Sequence, residues 1–137
     1  MENSRKLVLT SVQPIRWGDM DALGHVNNTV YFRYMEQTRV EWLDSIGFGD
    51  LGAEREEGVV IVNASCTFLL PLTYPGDVEV KMFFDKPGRS SLQTHYELRK
   101  TGEDTLYAEG AAKVVWVNQT TGKSAPWPEW ILTTMVD

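Results

Sequence analysis

The sequence is poor in the residues on which several chemistries depend. It holds a single cysteine, Cys66, so no disulfide closes within the chain. That fits a reducing compartment. It holds two histidines, His25 and His95. No pair drawn from them and Cys66 has zinc-type spacing, so no metal and no cofactor is expected. There is no G-x-S-x-G elbow, which argues against a serine hydrolase of that kind. There is no glycine-rich phosphate loop of the nucleotide-binding type. Basic residues number 13 against 19 acidic ones, and this balance argues against a general nucleic-acid binder. No apolar run approaches the roughly 18 residues of a membrane span, and the first residues lack a signal-like stretch. The cytoplasm is the expected location.

What is present is enough for one core. A chain of 137 residues, 42 % of them hydrophobic, is expected to form one domain over 1–137. Strands are expected at 7–16, 59–70, 78–85, 90–100 and 106–118, each bounded by turn residues. Pro14 marks the first of them as an edge or a bulge. Gly110 and the alanines beside it leave room for close packing in the last strand. Residues 48–58 read as a loop with one turn of helix, and 129–136 as a short terminal helix.

The only long helical pattern runs over 29–46. Tyr31, Met35, Trp42 and Ile46 recur at three- and four-residue spacing, with Phe32 and Leu43 nearby, and Arg33, Gln37, Glu41 and Asp44 form the wet stripe. Asn27 or Asn28 caps its start, and Gly47 follows its end. The order is one strand, one helix, then four strands on short turns. That is α+β, with the four later strands expected as an antiparallel meander.

Chemistry concentrates before the helix. Asp19 and Asp21 stand in a turn, followed by Gly24, His25, Asn27 and Asn28. Asp19 is expected to shape the turn through side-chain to backbone bonds, and Gly24 to supply a backbone shape that a Cβ forbids. His25 is a candidate base, with loop ordering as the plainer role. Asn27 and Asn28 suit capping as well as substrate contact. Asn63, polar in an apolar strand, calls for a partner or a site role. A helix start presents unpaired N–H groups and partial positive charge, where a carbonyl oxygen can become negative.

The run Asp19-x-Asp21-x-x-Gly24-His25-Val26-Asn27-Asn28-x-x-Tyr31-x-x-Tyr34-x-Glu36-x-x-Arg39, with Tyr74-Pro75-Gly76-Asp77 before a strand, resembles the 4-hydroxybenzoyl-CoA thioesterase-like branch of the hotdog-fold acyl thioesterases. The resemblance implies a hotdog fold, a curved five-stranded antiparallel sheet wrapped around the long helix. It implies a homodimer or homotetramer with sites at the subunit boundary. It places the catalytic carboxylate on Asp21, the oxyanion-holding N–H near Asn28, and the nucleotide end of coenzyme A at the turn with Lys86, Arg89, Ser90 and Ser91. Asn27, Tyr31 and Asn63 are the further substrate-binding candidates.

The expected reaction is hydrolysis of an acyl thioester, on coenzyme A or an acyl carrier protein. A thiol with a pKa of about 8.5 leaves readily as thiolate, so one carboxylate suffices as base or nucleophile. Two other readings compete. A hydratase or dehydratase on the same fold resembles Asp, four residues, then His, but Asp21 and His25 are separated by three and Asp19 and His25 by five. A non-catalytic acyl-binding module is the other, since fold alone does not fix function.

Overall fold

The computed structural model describes residues 5–48 and 55–136. Five strands and two helices are present among them: β1 Lys6–Pro14, α1 Asn28–Ser45, β2 Glu57–Phe68, β3 Asp77–Phe84, β4 Ser91–Lys100, β5 Ala108–Asn118 and α2 Glu129–Met135. The helical turn expected within 48–58 falls mainly on 49–54, outside the described residues.

Helix α1 starts one residue earlier than expected because Asn27 is its cap. The Asn27 side-chain oxygen accepts the Thr29 N–H at 2.9 Å, and Asn28 is the first helical residue. Burial, more than the cap, makes the helix stable. Tyr31, Tyr34, Met35, Trp42 and Leu43 are buried along it. Each such side chain contributes about 2 kcal/mol on burial, whereas a cap contributes about 1 kcal/mol. The cap decides where the helix begins. Arg33, Gln37 and Asp44 are exposed, as the wet stripe requires.

All strand pairs are antiparallel, and the sheet order is β1-β3-β4-β5-β2. One face of the sheet carries Val78, Val80, Met82 and Phe84 of β3, with Leu92, Tyr96 and Leu98 of β4, all buried in one core with the face of α1. The fold is therefore the expected hotdog arrangement, α+β with five antiparallel strands around one long helix. The meander needs correction. Only β3, β4 and β5 form hairpins. The chain leaves β2 at one edge, crosses, and enters β3 beside β1 at the other side. Turn residues 71–77 read as a hairpin in sequence, but β2 pairs β5 from Glu57↔Asn118 to Phe68↔Ala108, while β3 has both its sides taken by β1 and β4. Pro14 ends the edge strand β1 opposite Asp77, where its missing N–H costs no ladder bond.

The space made by Gly110 is used. A Cβ built there would lie 2.2 Å from the Met35 sulfur and 3.2 Å from the Ser65 carbonyl oxygen. Met35 is 1 % exposed and lies on α1, so Gly110 is where the helix settles onto the sheet. Gly110→Ala should cost about 1–3 kcal/mol, the usual range for overpacking. Urea denaturation of the two proteins measures it. A difference under a few tenths of a kcal/mol would mean that Met35 moves aside freely.

Candidate active site

Asp21 and the start of α1 are joined by a short hydrogen-bonded turn. The Asp21 N–H donates to the His25 carbonyl at 2.9 Å and the Gly24 N–H to the Asp21 carbonyl at 3.0 Å. Gly24 has φ +83, a conformation in which a side chain would be strained. The Asp21 carboxylate accepts the Leu23 N–H at 2.9 Å through Oδ1 and the Asn27 side-chain N–H at 3.2 Å through Oδ2. Asn27 thus caps the helix with its oxygen and holds Asp21 with its nitrogen.

These residues border a cleft of about 330 Å3 walled by Asp21, His25, Asn28, Tyr31, Phe68, Leu69 and Leu70. Asp21 is half-buried, and His25 and Asn28 are exposed at the cleft. At the helix start, Asn27 Oδ1 takes the Thr29 N–H and Asn27 O takes the Val30 N–H. The Asn28 N–H is the next of the four that a helix leaves open. The apolar wall is braced from α1: the Leu72 N–H donates to the Tyr31 hydroxyl at 3.1 Å, and the Tyr31 ring meets Phe68 edge-on at 4.9 Å. Burial pushes the Tyr31 hydroxyl above its ordinary pKa, so it remains a neutral group in this wall.

Asp19 does a different job. It is 4 % exposed and accepts the Arg16 N–H at 2.9 Å, the Tyr34 hydroxyl at 2.8 Å, and the Arg33 guanidinium. Its carbonyl accepts the Asn27 N–H at 2.9 Å. The turn is thereby clamped to the second turn of α1. Burial pulls this carboxyl upward, but the bonds from Arg16, Tyr34 and Arg33 and the Arg33 charge outweigh it, and its pKa lies below the ordinary 3.8. A depressed folded-state pKa gives stability that is complete above the unfolded value and disappears as pH falls through the folded one. Acid unfolding should therefore deepen below about pH 4, and Asp19→Asn should remove that part of the pH dependence. The variant should also cost about 2 kcal/mol at pH 7, the scale of hydrogen bonds to a charged group, because Arg33 is half-exposed and water replaces part of the loss. Denaturation curves at pH 3 and pH 7 for both proteins measure this. A variant with unchanged pH dependence would exclude the clamp as its source.

A second cleft, also about 330 Å3, opens between β1 and α1 beside Asp19 and Arg33. Its carboxylates are Asp19, already engaged by three donors, and Glu41, which accepts the Gln37 side-chain N–H at 3.1 Å. Cys66 is no nucleophile at neutral pH, since burial pushes its thiol up to about 11 and the thiolate is the reactive form. Among the described residues no three of His, Cys, Asp and Glu gather as metal ligands. No helix among them is long and apolar enough to cross a membrane.

The remaining sequence candidates lie elsewhere. Lys86 and Arg89 are exposed, and Ser90 and Ser91 half-buried, around the β3–β4 turn. Ser91 pairs Val115, and Val115 pairs Val60. That is the end of the sheet away from Phe68 and the Asp21 cleft. Asn63 is exposed in mid-β2 opposite Lys113 and is not in the cleft wall. Within one chain, therefore, Asp21, His25, Asn28 and Tyr31 share a cleft that Asn27 borders through its bond to Asp21, while Asn63 and the 86–91 turn are apart from it. Sequence reading missed the wall residues Phe68, Leu69 and Leu70, although three large apolar side chains before Pro71 were a signal. It also missed the reach of Arg33 to Asp19, because Arg33 lies on the wet stripe.

Comparison with known proteins places the chain in a family. A family model for the thioesterase-like superfamily matches residues 15–134. An Aquifex aeolicus protein named "Putative esterase" is 32 % identical over 128 residues, covering 90 % of this chain and 94 % of that one. A solved Pseudomonas aeruginosa structure, named "a putative Thioesterase", has 38 % identity and a TM-score of 0.89, covering 96 % of this chain and 100 % of that one. A Synechocystis 1,4-dihydroxy-2-naphthoyl-CoA thioesterase shares the fold, with a TM-score of 0.86 at 19 % identity over 93 % of this chain and 95 % of that one. With the Asp21 turn, α1 and the strands β2 to β5 inside the matched span, the chain belongs to the thioesterase-like superfamily and is a thioester hydrolase.

Proposed function

We propose that this chain is an acyl-CoA thioesterase whose working unit is a pair of protomers joined along β2. The observation that carries the reading is the single cleft shared by a carboxylate, Asp21, and the open helix start at Asn28. The thioester carbonyl oxygen points at the Asn28 N–H, where the helix dipole favours negative charge. Asp21 supplies the attack on the carbonyl carbon, with its own oxygen or by deprotonating water. The tetrahedral oxyanion collapses and the CoA thiolate leaves; where Asp21 attacks with its own oxygen, water then cleaves the acyl–Asp21 anhydride, releasing the acid and restoring the carboxylate. Asn27 keeps Asp21 facing the helix start. His25, at the cleft mouth, orders the turn through its carbonyl. Tyr31, Phe68, Leu69 and Leu70 receive an apolar acyl group. The relatives named as thioesterases, one of them acting on an aromatic acyl-CoA, support this substrate class.

The pairing follows from the edge strand. β2 is twelve residues long and lies at the margin of the sheet. Val60, Ile61, Val62 and Phe68 on it are 41–55 % exposed. A long apolar edge with unpaired backbone groups is a template for another strand. A second β2, laid antiparallel, covers it. The same operation brings the 86–91 turn of one protomer toward the Asp21 cleft of the other, which reunites the two groups of candidates. Lys86, Arg89, Ser90 and Ser91 then meet the phosphates of coenzyme A, and Asn63 lies near the two-fold axis. A homotetramer would be two such pairs. The lone, half-buried Cys66 suits a reducing compartment, and we place the protein in the cytoplasm.

Thiol release from a panel of aliphatic and aromatic acyl-CoAs tests the activity. Turnover of at least one of them is expected, and a panel with no release above the uncatalysed rate would rule the reading out.

A further inference from the structure

The cleft between β1 and α1 takes no part in the proposed reaction. Its volume is about 330 Å3, and it shares no wall residue with the Asp21 cleft. Two arginines wall it, Arg16 and Arg33. Arg33 donates one N–H to Asp19, its side chain is half-exposed, and its other N–H groups bond to nothing else among the described residues. Arg16 gives its backbone N–H to the same carboxylate. Its side chain is exposed, and no described carboxylate pairs with it. Glu41 is eight positions from Arg33 on α1, about 12 Å along the helix axis. The end of the cleft with both arginines therefore holds two positive charges against the one negative charge of Asp19. Val12 and Pro14 stand in the wall beside them.

This cleft is wired to the Asp21 turn. The Asp19 carbonyl accepts the Asn27 N–H at 2.9 Å, and the Asn27 amide donates to Asp21 at 3.2 Å. Arg33 thus reaches Asp21 through two intervening residues. Planar guanidinium groups match a carboxylate, as Arg33 already does with Asp19, and the apolar wall suits an organic body. We infer that the cleft binds a small organic carboxylate, the class of product a thioester hydrolase releases, and that its binding slows turnover. The bound carboxylate draws Arg33 away from Asp19. The clamp on the turn slackens, and Asn27 no longer fixes Asp21 against the helix start. A ligand shifts such an equilibrium only as far as it prefers one state, so the inhibition is partial and independent of substrate concentration. Binding stands apart from the acyl-CoA reading, whereas the effect on turnover rests on it.

The probe is sodium benzoate, titrated by calorimetry into the full chain. Benzamide removes the charge and sodium sulfate removes the organic body. Benzoate should bind saturably, benzamide should not, and sulfate should bind at least tenfold more weakly. Arg16→Gln should weaken benzoate about tenfold, the scale of one hydrogen bond to a charged group. It should keep native kcat and KM, because only the Arg16 backbone holds Asp19. In thiol release at saturating acyl-CoA, benzoate should lower the native kcat to a plateau. Asp19→Asn should still bind benzoate but lose that effect. Equal benzoate affinity in the native chain and Arg16→Gln, or sulfate binding as tight as benzoate, would overturn the site. Benzoate that only competes with acyl-CoA, equally in both proteins, would place it in the Asp21 cleft and overturn the inference too. Binding with an unchanged kcat would overturn the coupling. Were the native chain to hydrolyse no acyl-CoA, that reading would fail, and the calorimetry with Arg16→Gln would still decide whether the site exists.

Discussion

Asp21→Asn should lower kcat by about 10³-fold, within the range for loss of a positioned base or nucleophile. The shape of the cleft survives the change. The amide oxygen still accepts from Leu23, and the lost bond from Asn27 is near solvent on a half-buried residue. Folding stability should change by less than about 1 kcal/mol, and KM should move little, because the group acts on the transition state rather than on bound substrate. Steady-state thiol release with parallel denaturation curves separates the two effects. A variant with native kcat would take Asp21 out of the reaction. A variant that merely unfolds would show its loss in the denaturation curve instead. Single turnover in ¹⁸O-labelled water then tests the direct route. Label in the Asp21 carboxylate would establish direct attack, with water cleaving the mixed anhydride at the Asp21 carbon, because water activation labels only the product acid.

Val62→Asp should give the second large effect. Val62 is 55 % exposed at the middle of the β2 edge, next to the register shift between Ile61 and Asn63. Across a two-fold axis two such carboxylates come close together. Like charges opposed between strands disfavour pairing, and the apolar contact of the two edges is lost as well. Sedimentation velocity should show monomers where the native chain shows dimers. The kcat/KM for acyl-CoA should fall by a hundredfold or more, since each Asp21 cleft loses the phosphate-binding turn of the other protomer. A monomeric variant that keeps native kcat/KM would show that one chain carries a whole site. A native chain that is already monomeric would remove the pairing proposal outright.

The residues of the proposed site were legible because their arrangement is local. Asp21, Gly24, Asn27 and Asn28 lie within eight positions, and a turn followed by a capped helix is specified by hydrogen bonds between near neighbours. The same holds for α1, whose apolar spacing has to meet one sheet, and for Gly110, where the absence of a side chain signals a close approach. The strands were legible as strands. Which strands are neighbours was not, since the alternation of β2 fits β3 as well as β5.

A hotdog-like set of elements and a carboxylate beside a helix start can be read from the chain alone, because period, capping and turn chemistry act over a few residues. Three-dimensional folding makes β2 an open edge, sets the Lys86–Ser91 turn at the far end of the sheet from Asp21, and brings Arg33 and Tyr34 to clamp Asp19. It also brings Arg16 and Arg33 to one cleft beside that clamp. Each of these depends on contacts between distant parts of the chain. Such contacts form only when loop closure and the burial of a shared core favour them together, and no short stretch of sequence carries that information.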